Sequence, residues 1–218
     1  NAAAFNRITL KLKSHQQKKS IMGECMEQFY NDEMEEKMDE NKNLLGFDNG
    51  IYDFTTKCFR QGYPEDYVSF TTKTNYVPFD PKNKEQLKIK EEIDDFMIKV
   101  FPNKELREYM WNHAASTLIG QNRNQKFIIY TGGGGNGKSI WVDIMNLVLG
   151  KYADKLNIAL VTHKRKGIGG PTPEIAKLKG KRFVSMDEPS AGDELNEGVM
   201  KQMTGGDKMT SRGLFKET

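Results

Sequence analysis

Residues 127–141 read FIIYTGGGGNGKSIW, and the fold turns on whether the four glycines are a flexible linker or a cradle for phosphate oxygens. Phe127, Ile128, Ile129 and Tyr130 form a short apolar run of the kind that builds a buried strand. Directly after it, Gly132, Gly133, Gly134, Gly135, Asn136, Gly137, Lys138 and Ser139 match G-x-x-x-x-G-K-[ST]. Backbone N–H groups can turn inward on a phosphate only where side chains do not block the approach, and glycine meets that condition. Lys138 then reaches the β- and γ-phosphates, and the Ser139 hydroxyl joins the shell of Mg2+. Ile140, Trp141, Val142, Ile144, Met145, Leu147, Val148 and Leu149 predict an apolar helix that stops at Gly150. Strand, loop and helix therefore come in the order a phosphate site needs, with the helix dipole aimed at the ligand.

A phosphate cradle alone does not separate motors from small-molecule kinases or GTPases. Residues 181–189, KRFVSMDEP, predict a short strand, 183–186, that ends in Asp187 and Glu188, 48 residues after Ser139. An aspartate at such a strand end can hold Mg2+, and the adjacent glutamate can polarise the attacking water as general base. Lys138, Asp187 and Glu188 are thus the candidate catalytic residues, and Ser139 with Asp187 the candidate metal site. The adjacent acid pair favours ATP over GTP, and the chain contains no guanine-reading Asn-Lys-x-Asp string.

Around this centre, 218 residues suffice for one large domain or one domain with a smaller appendage, and a net charge of +3 does not by itself argue for nucleic acid. Cys25 and Cys58 have no metal spacing, which suggests a reducing compartment. No apolar run of the length needed to span a bilayer exists, and no secretory leader is visible, so no membrane partner is expected. The chain lacks an initiator methionine and stops in a charged stretch, which reads as a piece of a longer protein.

Upstream, residues 7–19 carry five basic residues and no acid, whereas residues 24–40 carry eight acids and one lysine. Met22, Met26, Phe29 and Tyr30 recur at spacings that suit the core face of one amphipathic helix. From Gly46 the chain is rich in Phe, Tyr, Thr and Val and is broken by Asp48-Asn49-Gly50 and Gly62-Tyr63-Pro64, which predicts short strands and hairpins. From Glu85 the period becomes helical, with Ile89, Ile93, Phe96, Met97 and Val100 on one face, ending at Phe101-Pro102. A second helix begins at an Asn103 cap, with Leu106, Tyr109, Met110, Ala114 and Leu118 as its buried stripe.

The strings GGGGNGKS, LKGKRFVSMDEP and KQMTGGDKMTSRGLFKE, the last from Lys201, resemble helicase superfamily 3, particularly the primase-helicases of nucleocytoplasmic large DNA viruses such as poxviruses; related helicases occur in phages and plasmids. GFDNGIYDF is similar to the poxvirus-type domain that precedes the helicase, so the resemblance covers nearly the whole chain. It implies an α/β fold: an AAA+-like P-loop core with a central parallel sheet over residues 121–218, incomplete here, preceded by a smaller α+β domain over residues 1–120, strand-rich at 46–80 and helical at 85–120. It also implies an ATP-dependent helicase that pulls single-stranded DNA through a homo-hexameric ring, at an intracellular viral replication site in the host cytoplasm or nucleus. Lys208, Arg212 and Lys216 would contact DNA phosphates from a channel hairpin, and a sensor asparagine and an arginine finger would lie beyond Thr218. The basic loop at residues 163–167 is a solvated loop or a further DNA contact. Two alternatives stand beside this reading: another P-loop ATPase, or a nucleotide-independent ring-forming or docking module for a primase or polymerase partner.

Overall fold

The computed structural model describes residues 2–162 and 173–205. The chain divides into two compact units, Asn1–Lys37 and Met38–Thr218.

The first unit is helical: α1, Ala2–Lys13; α2, His15–Gln28; and α3, Met34–Lys37. None of these helices buries a side chain. The core role expected for Met22, Met26, Phe29 and Tyr30 is therefore not met, since all four are exposed and α2 closes at Gln28, before the two aromatics. The spacing is right for an apolar face, but nothing covers it among the described residues: Phe5, Ile8, Leu10 and Leu12 of α1 and Ile21, Met22 and Met26 of α2 are all exposed.

The second unit opens with an antiparallel sheet of β1, Leu44–Phe47; β2, Gly50–Asp53; and β3, Cys58–Arg60. Leu45 pairs with Tyr52 and Tyr52 with Phe59, so with Phe47 these residues share one face of the pleat. Tyr76 closes over that face, stacked on Phe59 at 4.6 Å and edge-on to Phe47 at 5.3 Å. The first hairpin turn falls where the sequence places it, with Asp48-Asn49 linking β1 to β2; the second lies at residues 54–57, where Asp53 Oδ1 accepts from Thr55 N at 2.8 Å, and not at the expected Gly62-Tyr63-Pro64 break. The region after β3 is less regular than its composition suggests. Among residues 61–82 no strand forms. Residues 72–74 instead flank β1 through single bonds, Thr72 N to Gly46 O at 2.9 Å and Asp48 N to Thr74 O at 3.0 Å.

Helices α4, Lys84–Val100, and α5, Lys104–Ser116, follow. Asn83 caps α4 by accepting from Glu85 N and Gln86 N, and Asn103 caps α5 by accepting from Leu106 N at 2.9 Å. Met97 and Met110 are the buried anchors of the expected stripes, whereas Ile89, Ile93, Leu106 and Tyr109 are exposed. Then come α6, Lys138–Leu149; β4, Ala153–Leu156; α7, Ala159–Thr162; α8, Pro173–Ala176; β5, Phe183–Met186; and α9, Glu197–Thr204. Trp141, Met145 and Leu149, one helical turn apart on α6, enter a single core with Leu45, Met97, Met110, Tyr152 and Phe183. The hairpin sheet and the loop-helix unit thus share one hydrophobic cluster. Tyr152 ties it together: its hydroxyl accepts from Gly46 N and donates to Phe70 O, each at 2.9 Å.

β4 and β5 form a two-stranded parallel sheet, with Ala153 opposite Phe183 and Leu156 opposite Met186. The architecture is mixed α/β. The run 127–130, expected as a strand, joins no ladder among the described residues, and Ile129 is 64% exposed. It lies with β5 along the wall of a cleft, and strands must come within about 4.8 Å to pair.

Candidate functional site

The cleft has a volume of about 1580 Å³ and brings the glycine loop, Lys138, Ser139, Asp187 and Glu188 to one space at the carboxyl end of the parallel pair. Gly134, Gly135 and Gly137 have φ of +86°, +62° and +82°, a left-handed run that L side chains rarely adopt. Added Cβ atoms at Gly133, Gly134 and Gly135 would meet nothing within 4 Å, so the hollow of the loop is open. At Gly137 a Cβ would lie 2.8 Å from Val100 Cγ2, so the close approach of α4 also demands glycine there. Gly132 is crowded in another way, since its Cβ would sit 2.1 Å from Asn136 Nδ2.

Lys138 is folded back over the loop: Nζ donates to Asn136 Oδ1 at 2.8 Å and to Gly132 O at 3.2 Å. Both acceptors belong to the loop, which holds the ammonium above the hollow. The N-terminus of α6 has no side-chain cap and no acid in its first turn, so its positive end is uncompensated. An ammonium, an uncapped helix end and an open glycine loop are the chemistry that an anion such as a phosphate group would need.

On the other side, β5 delivers Asp187 and Glu188 into exposed coil, and Asp187 Oδ1 accepts from Lys155 Nζ at 2.7 Å. Among the described residues no group of three or more His, Cys, Asp or Glu side chains could hold a metal by itself. Mg2+ takes one or two protein oxygens and completes its shell with phosphate and water, and Ser139 and Asp187 both line the cleft with oxygen donors of the kind it would take.

β5 is set in place by Arg182, the residue before it. Its guanidinium donates to Leu118 O and Leu44 O and lies 4.4 Å over the Tyr152 ring. Burial pushes the Arg182 pKa down from its usual value, opposed by Tyr152 and by the Asp39 carboxylate. At the far end of the cleft, His113 stacks on Tyr109 at 6.5 Å and meets the edge of Tyr130 at 6.2 Å. Burial lowers the His113 pKa and raises that of the Tyr130 phenol, the Trp141 indole opposing the latter. Tyr130 and Trp141 couple without forming a well-aligned hydrogen bond, and Ser185 Oγ on β5 is likewise buried without a partner.

Sequence reasoning missed Lys155 and Arg182. Lys155 sits in no motif, and only the register of β4 on β5 puts it beside Asp187. Lys208, Arg212 and Lys216 lie outside the described residues, as does the basic loop at 163–167.

Residues 1–102 match the family described as D5 N terminal like. Over 217 residues the chain is 36% identical to a protein named as a helicase from Acanthamoeba polyphaga mimivirus, covering 100% of this chain and 22% of the relative. The chain is similar over its whole length to proteins of large DNA viruses named as helicases or primases. A protein named as a helicase from Invertebrate iridescent virus 3 is 31% identical over 98% of the chain and 22% of its own length. One named as a primase from African swine fever virus is 26% identical over 97% and 22%. The chain therefore spans 22% of the length of each of these relatives. No helix among the described residues is long and apolar enough to cross a membrane.

Proposed function

We propose that this chain carries the nucleotide-holding part of a viral primase-helicase, whose parent protein couples ATP hydrolysis to translocation on single-stranded DNA. The observation that carries the reading is one cleft lined by a left-handed glycine loop, its lysine, an uncapped helix N-terminus and the acid pair after β5. In this reading the amides of residues 132–139 hold the phosphates and Lys138 leaves Asn136 for the β- and γ-phosphates. Ser139 and Asp187 would hold Mg2+, which when bound neutralises charge developing on the phosphates. Glu188 orients water and accepts its proton.

The remaining assignments rest on the resemblance: a P-loop core completed by strands contributed beyond this chain, a homo-hexameric ring, phosphate contacts from Lys208, Arg212 and Lys216, and a viral replication site in the host cytoplasm or nucleus. The division into 1–120 and 121–218 is a proposal about function, since the packing joins both sides in one core. In the full-length protein Lys138→Ala should abolish DNA-stimulated ATP hydrolysis, and unchanged turnover would refute the cradle. A second reading, docking of a primase or polymerase partner, is favoured by the exposed Phe5, Ile8, Met26, Phe29 and Tyr30 of the first unit. Partner capture that survives Lys138→Ala and is lost on removing residues 1–37 would support it.

A further inference from the structure

The carboxyl ends of β4 and β5 lie side by side, with Lys155 opposite Ser185. Beyond β5, the Lys155 ammonium meets Asp187 Oδ1 at 2.7 Å, and both side chains are largely exposed, at 60% and 70%. So open a pair does little for stability. Both residues nevertheless line the cleft that holds the glycine loop, Lys138 and Ser139. The other lysine of this edge is committed elsewhere: Lys181 Nζ donates to Lys151 O at 2.8 Å and pairs with Asp154 at 3.2 Å, with its side chain only 15% exposed. Lys155 is thus a long, solvated cation whose charge sits on the carboxylate that a divalent cation would need. An ammonium has donors and no acceptor, so at a carboxylate oxygen it occupies the place a hard cation takes.

We propose that Lys155 is the resident counter-ion of Asp187: it holds the carboxylate in the nucleotide-free protein and yields it to the metal that arrives with the nucleotide. It thereby sets the Mg2+ concentration at which the site loads. The proposal rests on Asp187 being the metal-binding acid. An entering cation competes with the existing pair for the charge of the carboxylate, and the exposure of that pair makes the exchange easy but not free. A lysine serving the phosphates directly would behave differently, because its loss would weaken nucleotide binding whether or not metal is present.

The test is equilibrium binding of N-methylanthraniloyl-ATP to the full-length protein, titrated across Mg2+ and repeated in EDTA. Lys155→Met should lower the half-saturating Mg2+ by about two- to fivefold, the range an exposed ion pair spans, and leave affinity in EDTA unchanged. Lys155→Arg should keep the wild-type midpoint, and Lys155→Met should have no effect in an Asp187→Asn background. Lys155→Gln repeats the measurement with a polar side chain should the apolar one disturb the cleft. Weaker binding by Lys155→Met in both Mg2+ and EDTA would make Lys155 a phosphate contact and overturn the proposal; an unmoved midpoint would do the same. If Asp187→Asn leaves the Mg2+ dependence untouched, the metal assignment of Asp187 itself fails, which separates that failure from failure of the Lys155 role alone.

Discussion

Two neighbouring glycines separate what the loop needs for folding from what it needs for a ligand. Gly137 has φ +82°, and an added Cβ would lie 2.8 Å from Val100 Cγ2 and 3.1 Å from Cγ1. A left-handed backbone costs an L-residue about 1–2 kcal/mol, and crowding a packed contact adds about 1–3 kcal/mol, so Gly137→Ala should lose roughly 2–5 kcal/mol. In thermal unfolding of a chain this size that is a fall of roughly 4–20 °C. Val100→Ala clears both methyls and leaves φ untouched, so the double variant should be more stable than the two losses added, by about 1 kcal/mol. Gly133 has no positive φ and nothing within 4 Å of its Cβ position. Gly133→Ala should therefore stay within about 0.5 kcal/mol of the parent. In the proposed cradle the Gly133 N–H is one of the phosphate donors, and a methyl beside it that costs one charge-assisted amide–phosphate bond should weaken nucleotide binding about tenfold or more. Unfolding followed by circular dichroism and nucleotide titration read the two effects. A Gly137→Ala chain that melts like the parent, or a Gly133→Ala chain that binds nucleotide like the parent, would refute the geometry argued for the loop.

Further outcomes follow from the same contacts. Arg182→Met should cost about 2–4 kcal/mol in denaturant unfolding, because the carbonyls of Leu44 and Leu118 lose their donor, and Arg182→Lys should recover only part of it. Tyr152→Phe strands Gly46 N and Phe70 O and should cost about 1–3 kcal/mol by the same measurement. Asp66 forms two bonds to the Arg60 guanidinium, at 2.7 and 2.8 Å, and this partner holds its carboxyl below the usual aspartate value of 3.8. A folded pKa below the unfolded one gives stability that is complete above pH 3.8 and is lost as pH falls through the folded value. Asp66→Asn should flatten that acid limb in a stability–pH series.

What could be read from the sequence was whatever local chemistry decides. The Asn103 cap and the Asp48-Asn49 turn are settled within a few residues of themselves, and α6 is bounded by Gly137 and Gly150. The glycine loop was legible for the same reason, since positive φ and open space are properties of its own residues. What eluded the sequence depends on partners far along the chain. An apolar period marks a face but not its cover, which is why Met22 and Met26, on an expected core face, and Leu106 and Tyr109, on an expected buried stripe, are exposed. Residues 127–130 have the composition of a strand, yet pairing needs a neighbour at ladder distance. Lys155 acquires its meaning only from the register that places β4 beside β5, 30 residues away.

The contacts of Arg182 bear on where this protein can be cut. Its guanidinium is held by carbonyls from Leu44 and Leu118 and by the ring of Tyr152. A truncation that begins after residue 120 would remove both carbonyls at once and leave a desolvated charge beside the strand that carries the acid pair. A fragment that keeps the glycine loop in its present setting should therefore begin before Leu44, and the hairpin sheet has to be inherited together with that loop.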